Sequence, residues 1–170
     1  MAKVSSDSGT DHQAILASFL NKDIQNSLTG EEIHFLETDS FLAYLKSSVT
    51  NRGASTASIF AVNALVPAYR VSANHPECKP EELVPLLAKM IRWMLGPSGM
   101  VFRVGPGILV CIHLAPRSVD PELIGLQVER SIKRVFTIPS EVQDILKGSC
   151  SYNPTGTEAE ETLRHFLSNL

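Results

Sequence analysis

The sequence predicts a domain built of both helices and strands, of class α/β in the broad sense and α+β in the narrow one. We expect a mixed β-sheet flanked by helices, with an N-terminal helical extension. Short runs rich in β-branched and aromatic residues alternate with longer segments of helical periodicity. Two of the short runs are separated only by residues 105–107, which is typical of an antiparallel hairpin. The chain has 170 residues, of which 44% are hydrophobic and 19% charged, so it is long enough for one domain with a substantial core.

Composition and charge argue against several function classes. The formal net charge of -3 gives no electrostatic reason to expect nucleic acid or an anionic membrane as a partner. No apolar run reaches the ~18 residues of a membrane span, and the first residues lack the apolar core of a secretory signal. The cysteines, Cys78, Cys111 and Cys150, are widely spaced, which argues against a disulfide framework or a zinc site. We therefore expect a cytoplasmic protein.

The N-terminal part is predicted to be helical. Residues 1–27 contain a polar tail followed by apolar residues at helical spacing, and we treat them as a tail and helix outside the main domain. Thr29 and Glu32 then form a candidate capping box for a second helix. A third, amphipathic helix is expected to begin with Asp39 or Ser40 as its cap.

The central part is predicted to contain a strand, a helix and a hairpin. "STASIFAVNALV" (55–66) predicts a buried strand because β-branched and aromatic residues alternate with small ones. Pro80 opens a helix that runs to about Leu95. "MVFRV" (100–104) and "ILVCIHL" (108–114) are the two strands of the hairpin.

The C-terminal part is predicted to continue the same alternation. Asp120 is expected to cap a helix that opens on Pro121. "QDILKGSCSY" (143–152) predicts a weaker strand, and the terminal helix follows a candidate capping box of Thr157 with Glu160. Strands joined through helices usually lie parallel, whereas hairpin strands are antiparallel. This order therefore predicts a ferredoxin-like mixed sheet of four or five strands.

Four segments have an order and separation that occur together in one family. They are "NSLTG" (26–30), "SIFAVNAL" (58–65), "FRVGPGILVCI" (102–112) and "GSCSYNPTGTEAEETL" (148–163). In that order they resemble the D-x-L-T-G opening, the first strand, the R-y-G-G-D-E-F signature and the late S-i-G-v-a segment of GGDEF domains. These are the diguanylate-cyclase domains of bacterial cyclic-di-GMP signalling. The resemblance implies a nucleotide-cyclase-like fold and a GGDEF-like domain over residues 28–170.

The residues that would carry the chemistry of this family are missing. The resemblance implies two metal ions, held by carboxylates of the first strand and of the signature turn, that assist phosphoryl transfer. The first-strand positions are here Asn63 and Leu65, neither of which supplies a charged ligand. The signature turn is degenerate and has no carboxylate: Gly105, Pro106, Gly107, Ile108 and Leu109. We therefore expect no catalysis, no bound metal and no cofactor.

Two interpretations of the degenerate turn stay open. It is either a hairpin turn alone or a residual contact for an anion or nucleotide through Arg103, Gly105 and Gly107. Pro106 removes one backbone donor from such a contact. Arg103 could instead pair with a surface carboxylate.

Other reactive residue types give no pattern. The histidines, His12, His34, His75, His113 and His165, lack HxxxH or HxH spacing, so we expect no metal site from them. Cys111 lies inside an apolar strand and is expected to be a small buried hydrophobe. Trp93 is expected to lie in the core or in a dimer contact.

The sequence therefore predicts a catalytically inactive GGDEF-like domain that acts as a regulatory or protein-interaction module in bacterial signalling. A protein partner or self-association into a dimer is expected, since the helix in residues 1–27 carries apolar surface. The alternative is a non-catalytic receptor for GTP or cyclic-di-GMP. Nucleic acid and membrane are not expected as partners. An unrelated enzyme on the same fold is a further possibility, since fold does not determine function, but no residue constellation supports it.

Overall fold

The computed structural model describes residues 36–51, 53, 56–115, 117 and 119–170. The predicted N-terminal helix, the capping box at Thr29 and the opening motif at 26–30 lie outside these residues. The elements of the described part are α1 (Thr38–Asn51), β1 (Thr56–Asn63), α2 (Leu65–Asn74), α3 (Pro80–Leu95), β2 (Gly99–Val104), β3 (Ile108–Ala115), α4 (Pro121–Val135), β4 (Leu146–Tyr152) and α5 (Ala159–Ser168). A short 3-10 helix, Gly96–Ser98, joins α3 to β2.

The strands form one sheet in the order β2-β3-β1-β4, and every neighbouring pair is antiparallel. With helices between β1 and β2 and between β3 and β4, this is the β-α-β-β-α-β ferredoxin-like arrangement. The predicted α+β class is confirmed. The expectation that strands joined through a helix pair in parallel is wrong. β3 lies between β1 and β2, and β1 lies between β3 and β4. Strands joined through a helix are thus never neighbours in the described sheet.

Helices cover both faces of this sheet. We call the face under α2, α3 and α4 the crossover face; its core includes Phe60 of β1, Ile91 of α3 and Ile132 of α4. We call the face under α1 and α5 the terminal face; its core includes Leu45 of α1 and Leu163 of α5. Because both faces are covered, β1 is buried everywhere except at its two ends and shows no alternation of apolar and polar residues. None of the helices within the described ranges is long and apolar enough to cross a bilayer.

Two helices differ from the sequence prediction. The pattern does not predict α2, whose buried face is limited to a few residues between Pro67 and Val71. Proline is tolerated there because N–H groups in the first turn of a helix have no helical acceptor. α1 begins at Thr38, so Asp39 and Ser40 lie in its first turn rather than at its cap.

The predicted caps have opposite outcomes. The Asp120 carboxylate accepts a hydrogen bond from the Glu122 backbone N–H over 3.0 Å, which confirms it as the cap of α4. The capping box at Thr157 is wrong, because α5 begins at Ala159 and Glu158 holds the cap position without a side-chain hydrogen bond. A sequence pattern at a helix start therefore depends on where the tertiary structure begins the helix.

Candidate functional site

The degenerate turn and the end of β1 lie side by side. Asn63, the last residue of β1, is opposite Ile108, the first residue of β3 after the turn. The structure therefore brings together Asn63, Leu65 and the turn of residues 105–107. We call this edge of the sheet the signature end.

Asn63 is used to start α2. Its side-chain Oδ1 accepts a hydrogen bond from the Leu65 backbone N–H over 3.1 Å, and its own backbone N–H donates to the Ile145 carbonyl over 2.7 Å. The side-chain oxygen of Asn63, at a position where the resemblance would place a metal ligand, thus stabilises the first residue of α2. It is a neutral amide oxygen, and Leu65, the other position where the resemblance would place a metal ligand, supplies no charge beside it.

Leu65 packs directly against Gly107. A Cβ added at Gly107 would overlap the end of the Leu65 side chain, and the Ala64 N–H donates to the Gly107 carbonyl over 2.8 Å. Gly107 is buried as a result. Any side chain at position 107, including a carboxylate, therefore requires Leu65 to move.

Arg103 stabilises the turn that follows it. Its guanidinium donates to the Gly105 carbonyl over 3.2 Å and to the Pro106 carbonyl over 2.6 Å. Gly105 has φ 61°, in the left-handed region that glycine adopts without strain. Arg103 and Gly105, which were candidates for an anion contact, thus stabilise the hairpin turn.

The remaining signature positions are apolar. Leu109 is fully buried in the core of the crossover face, and Ile108 is half-buried at the start of β3. Within the part of the chain that the structure describes, no three His, Cys, Asp or Glu side chains are grouped so that they could hold a metal ion. The signature end therefore carries the Arg103 cation and backbone groups, and its residues Asn63, Leu65 and 105–109 include no anionic side chain.

The cysteines are not arranged as nucleophiles. Burial raises the pKa of the Cys111 thiol far above its usual range and raises the pKa of the Cys150 thiol to about 12. The pKa of the more exposed Cys78 is also raised, by desolvation and then by the negative charges of Glu77 and Glu82. Since the thiolate is the reactive form, none of the three is activated. The prediction that Cys111 is a buried hydrophobe is confirmed.

Among the residues that the structure describes, three large apolar or aromatic side chains are exposed. Trp93 on α3 is 78% exposed, which corrects the expectation of a core position. Tyr69 on α2 and Leu123 on α4 are 60% and 57% exposed. These side chains present apolar area at the surface of the described part of the chain.

Two cavities lie away from the signature end. One, of about 450 Å³, lies between the end of α3 and α4, over His113 of β3. The other, of about 300 Å³, lies between β4 and α5 beside Cys150 and His165. Sequence reasoning assigned His113 no role. The only signal was a single polar residue inside an otherwise apolar strand.

No family model matches the chain, and neither the curated proteins nor the solved structures contain a significant match to it. The resemblance to GGDEF domains therefore stays a prediction from the sequence. The fold, the geometry of the signature end and the first cavity are what the structure adds to it.

Proposed function

We propose that this chain is a catalytically inactive GGDEF-like domain that acts as a regulatory or protein-interaction module in bacterial signalling, in the cytoplasm. The observation that carries the proposal is the contact of Leu65 with Gly107 at the end of β1. At both positions the resemblance expects a carboxylate. An apolar side chain fills the space between them instead.

The chemical argument is electrostatic. Two-metal phosphoryl transfer depends on anionic ligands that hold the cations against the phosphate oxygens, and this stabilisation is usually the largest contribution to catalysis. Hard cations such as Mg²⁺ require oxygen ligands and are usually bound through carboxylates. Asn63 offers one neutral oxygen, already paired with the Leu65 N–H, and Leu65, Gly107 and Ile108 offer none.

The contacts of the turn also weigh against the receptor alternative. A phosphate would have to draw Arg103 away from the carbonyls of Gly105 and Pro106, or share its guanidinium with them. The backbone of residue 106 has no N–H to offer, since it is proline. Protein binding is the better supported activity, because exposed Trp and Tyr side chains such as Trp93 and Tyr69 are the types that dominate binding energy at interfaces.

The first experiment measures turnover and nucleotide binding by the full chain. With GTP and Mg²⁺ or Mn²⁺, we expect no cyclic-di-GMP above a protein-free control when products are separated by chromatography. In calorimetric titrations with GTP, GDP and cyclic-di-GMP we expect no binding heat. Product formation would contradict the proposal that the domain is catalytically inactive. Saturable heat without product would favour a nucleotide receptor over a protein-interaction module.

The second experiment tests the resemblance by restoring the missing carboxylates. The variant Asn63→Asp, Leu65→Asp, Gly107→Asp and Ile108→Glu removes the obstructing leucine and supplies four acidic side chains at the signature end. We expect this variant to bind Mn²⁺, measured by electron paramagnetic resonance, and the natural chain not to bind it. A control with four acidic substitutions at exposed positions of α4 and α5 should not gain the site. A folded variant without Mn²⁺ affinity would count against a GGDEF-like arrangement.

The third experiment tests self-association as one form of protein binding. Light scattering of the full chain should give a mass above that of the monomer, and Trp93→Ser should shift it towards the monomer. Glu81→Ser, an exposed change on the same helix, should leave the mass unchanged. A monomer at all concentrations would limit the proposal to a different partner protein.

A further inference from the structure

β4 is an edge strand, and its outer side has no partner strand in the described sheet. The Asn63 backbone N–H donates to the Ile145 carbonyl, so the odd-numbered residues of β1 direct their backbone groups towards β4. The partners of these residues on β4 are Gly148, Cys150 and Tyr152. Ser149 and Ser151 alternate with them and therefore direct their backbone N–H and C=O groups away from the sheet.

The start of this outer edge is protected against pairing. The Leu146 N–H donates to the Glu129 carboxylate over 2.9 Å, and the exposed Lys147 follows where the register with β1 shifts. Natural edge strands avoid pairing with other chains by means of charges, prolines and such irregularities. Residues 148–152 contain no charged residue, no proline and no register shift. This stretch of the edge is therefore open to a further strand.

A groove of about 300 Å³ lies beside this stretch on the terminal face, between β4 and α5. Its helical side is formed by α5 and the two residues after it: Thr162, His165, Phe166, Asn169 and Leu170. Another side of α5 faces α1, because Arg164 forms an ion pair with Asp39 over 2.8 Å. α1 in turn extends towards β2, where the rings of Phe41 and Phe102 are in contact. The groove thus lies on the side of α5 that faces the outer edge of β4.

A strand added to this edge would place alternate side chains in the groove. Residues that pair on neighbouring strands point to the same face, so those opposite Gly148 and Cys150 would lie on the terminal face. Those opposite Ser149 and Ser151 would exchange backbone hydrogen bonds with β4. The Phe166 ring lies over Gly148, where an added Cβ would be 3.3 Å from it. The groove therefore offers an aromatic surface to every second side chain of the added strand.

The space beside β4 suits a strand that carries no helix of its own. Neighbouring strands are about 4.8 Å apart, whereas packed helices need about 8–10 Å between their axes. In a second copy of this chain, β4 also carries α5 on the terminal face. Pairing of two β4 strands would therefore bring the two α5 helices too close together. A short extended segment of another protein meets no such obstacle, and its addition to a sheet edge is a common form of peptide recognition.

We propose that the outer edge of β4 binds an extended segment of a partner protein as a fifth strand, with an apolar side chain of that segment in the groove beside Phe166. The backbone hydrogen bonds of Ser149 and Ser151 supply affinity, and the groove selects the side chain. The inference rests on the proposed function, because it names the surface through which the protein-interaction module binds its partner.

The experiment uses a phage-displayed library of random peptides of about ten residues, the length of a long strand. The library is selected on the full chain, and amide hydrogen exchange of the chain is then measured by NMR with a synthetic enriched peptide. The N–H groups of Ser149 and Ser151 should exchange more slowly in the complex, whereas that of Cys150, which already faces β1, should change less. Failure to enrich any peptide would overturn the proposal, and so would unchanged exchange at both serines.

Two pairs of variants test the edge and the groove. Ser149→Pro removes one outward N–H and should weaken peptide binding about tenfold, while Ser149→Ala keeps the N–H and should leave binding unchanged. Thr162→Trp fills the groove from α5 and should also weaken binding, whereas Glu161→Trp, at an exposed position outside the groove, should not. Equal affinity within each pair, measured by fluorescence anisotropy, would overturn the proposal.

N-methylated peptides test the pairing on the natural chain. Methylation removes one peptide N–H and should abolish binding only at every second position, since alternate residues of an added strand face away from β4. Similar effects at adjacent positions would overturn the proposal even if Ser149→Pro fails to fold. The proposed function fails separately: production of cyclic-di-GMP would contradict it, while peptide pairing with β4 would still support the inference.

Self-association gives the converse result. A chain that dimerises through Trp93 but binds no peptide at β4 would support protein binding and overturn the inference alone.

Discussion

The two ends of the sheet differ in how completely side chains fill the space beside the strands. At the signature end, Leu65 fills the space beside Gly107, and Asn63 and Arg103 are engaged in hydrogen bonds with the backbone. At the other end, small residues flank His113, a cavity remains over it, and its Nδ1 is unpaired. The signature end, where the resemblance expects catalytic residues, is filled by side chains. The opposite end, where the sequence has no motif, contains a cavity.

This difference shows that the positions of a predicted motif need not border a vacant pocket. At the signature end, apolar side chains stand where the resemblance expects carboxylates, and their packing contributes to stability. A cavity and an unpaired buried polar atom instead lower stability, because packing contacts and a hydrogen bond are missing. The unfilled space described here therefore lies away from the positions that the sequence motif points to.

The largest expected effect comes from breaking the close contact at the signature end. Gly107→Ala forces a Cβ onto Leu65 and should lower the free energy of unfolding by about 1–3 kcal/mol, measured by urea denaturation. Leu65→Ala should relieve the overlap, so the double variant should lose less than the sum of the two single variants.

Gly105→Ala is the matched control for this cycle. An alanine at Gly105 meets no atom within 4 Å, but it must adopt φ 61°, so its cost of about 1–2 kcal/mol is a backbone effect. Leu65→Ala should not relieve that cost. Equal coupling of Leu65→Ala with both glycine variants would contradict the close packing of the signature end.

A smaller effect, of opposite sign at the two ends, should follow from removing polar atoms. Asn63→Ala removes the acceptor of the Leu65 N–H at the start of α2 and should lower the free energy of unfolding by about 1 kcal/mol. His113→Phe removes an unpaired buried nitrogen and should raise it by about 1 kcal/mol. Thermal and urea unfolding of both variants measure the difference.

The sign at His113 is the informative part of this comparison. If His113→Phe lowers the free energy of unfolding, His113 Nδ1 has a hydrogen-bond partner in solution, such as an ordered water. The polar side chains compared at the two ends of the sheet are then both paired. Loss of stability in both variants would thus remove the contrast between the closed and the open end.

The last prediction concerns the packed sheet between the two ends, and its effect on stability is confined to alkaline pH. Burial raises the pKa of the Cys150 thiol to about 12, whereas the unfolded thiol ionises near its ordinary value of 9.0. The unfolded chain therefore releases this proton first, and the free energy of unfolding should fall as the pH rises from about 9 to 12. Cys150→Ala should make this alkaline decline shallower, as measured by urea denaturation at a series of pH values.

Cys78→Ala serves as the control for the thiol, because Cys78 is the more exposed of the two and should change the alkaline decline less. An unchanged decline in Cys150→Ala would mean that water reaches the Cys150 thiol between β4 and α5.

Much of the fold was predictable because its signals are local. The hairpin around residues 105–107, the helix opened by Pro80 and the cap at Asp120 each depend on residues that are close in the chain. α2 was not predictable, since its short buried face is interrupted by Pro67. The candidate site was predictable only as a set of positions, because sequence spacing does not show which side chains fill the space between them.

The sequence by itself determined the alternation of strands and helices, the hairpin turn and the absence of carboxylates at Asn63, Leu65 and the degenerate signature turn. Periodicity, turn chemistry and side-chain charge are properties of neighbouring residues and can be identified without a structure. Only the tertiary structure decided the antiparallel strand order, the second helical layer, the contact of Leu65 with Gly107 and the cavity over His113. Each of these depends on the distance between residues that are far apart in the chain, which is set by how the layers pack on the sheet.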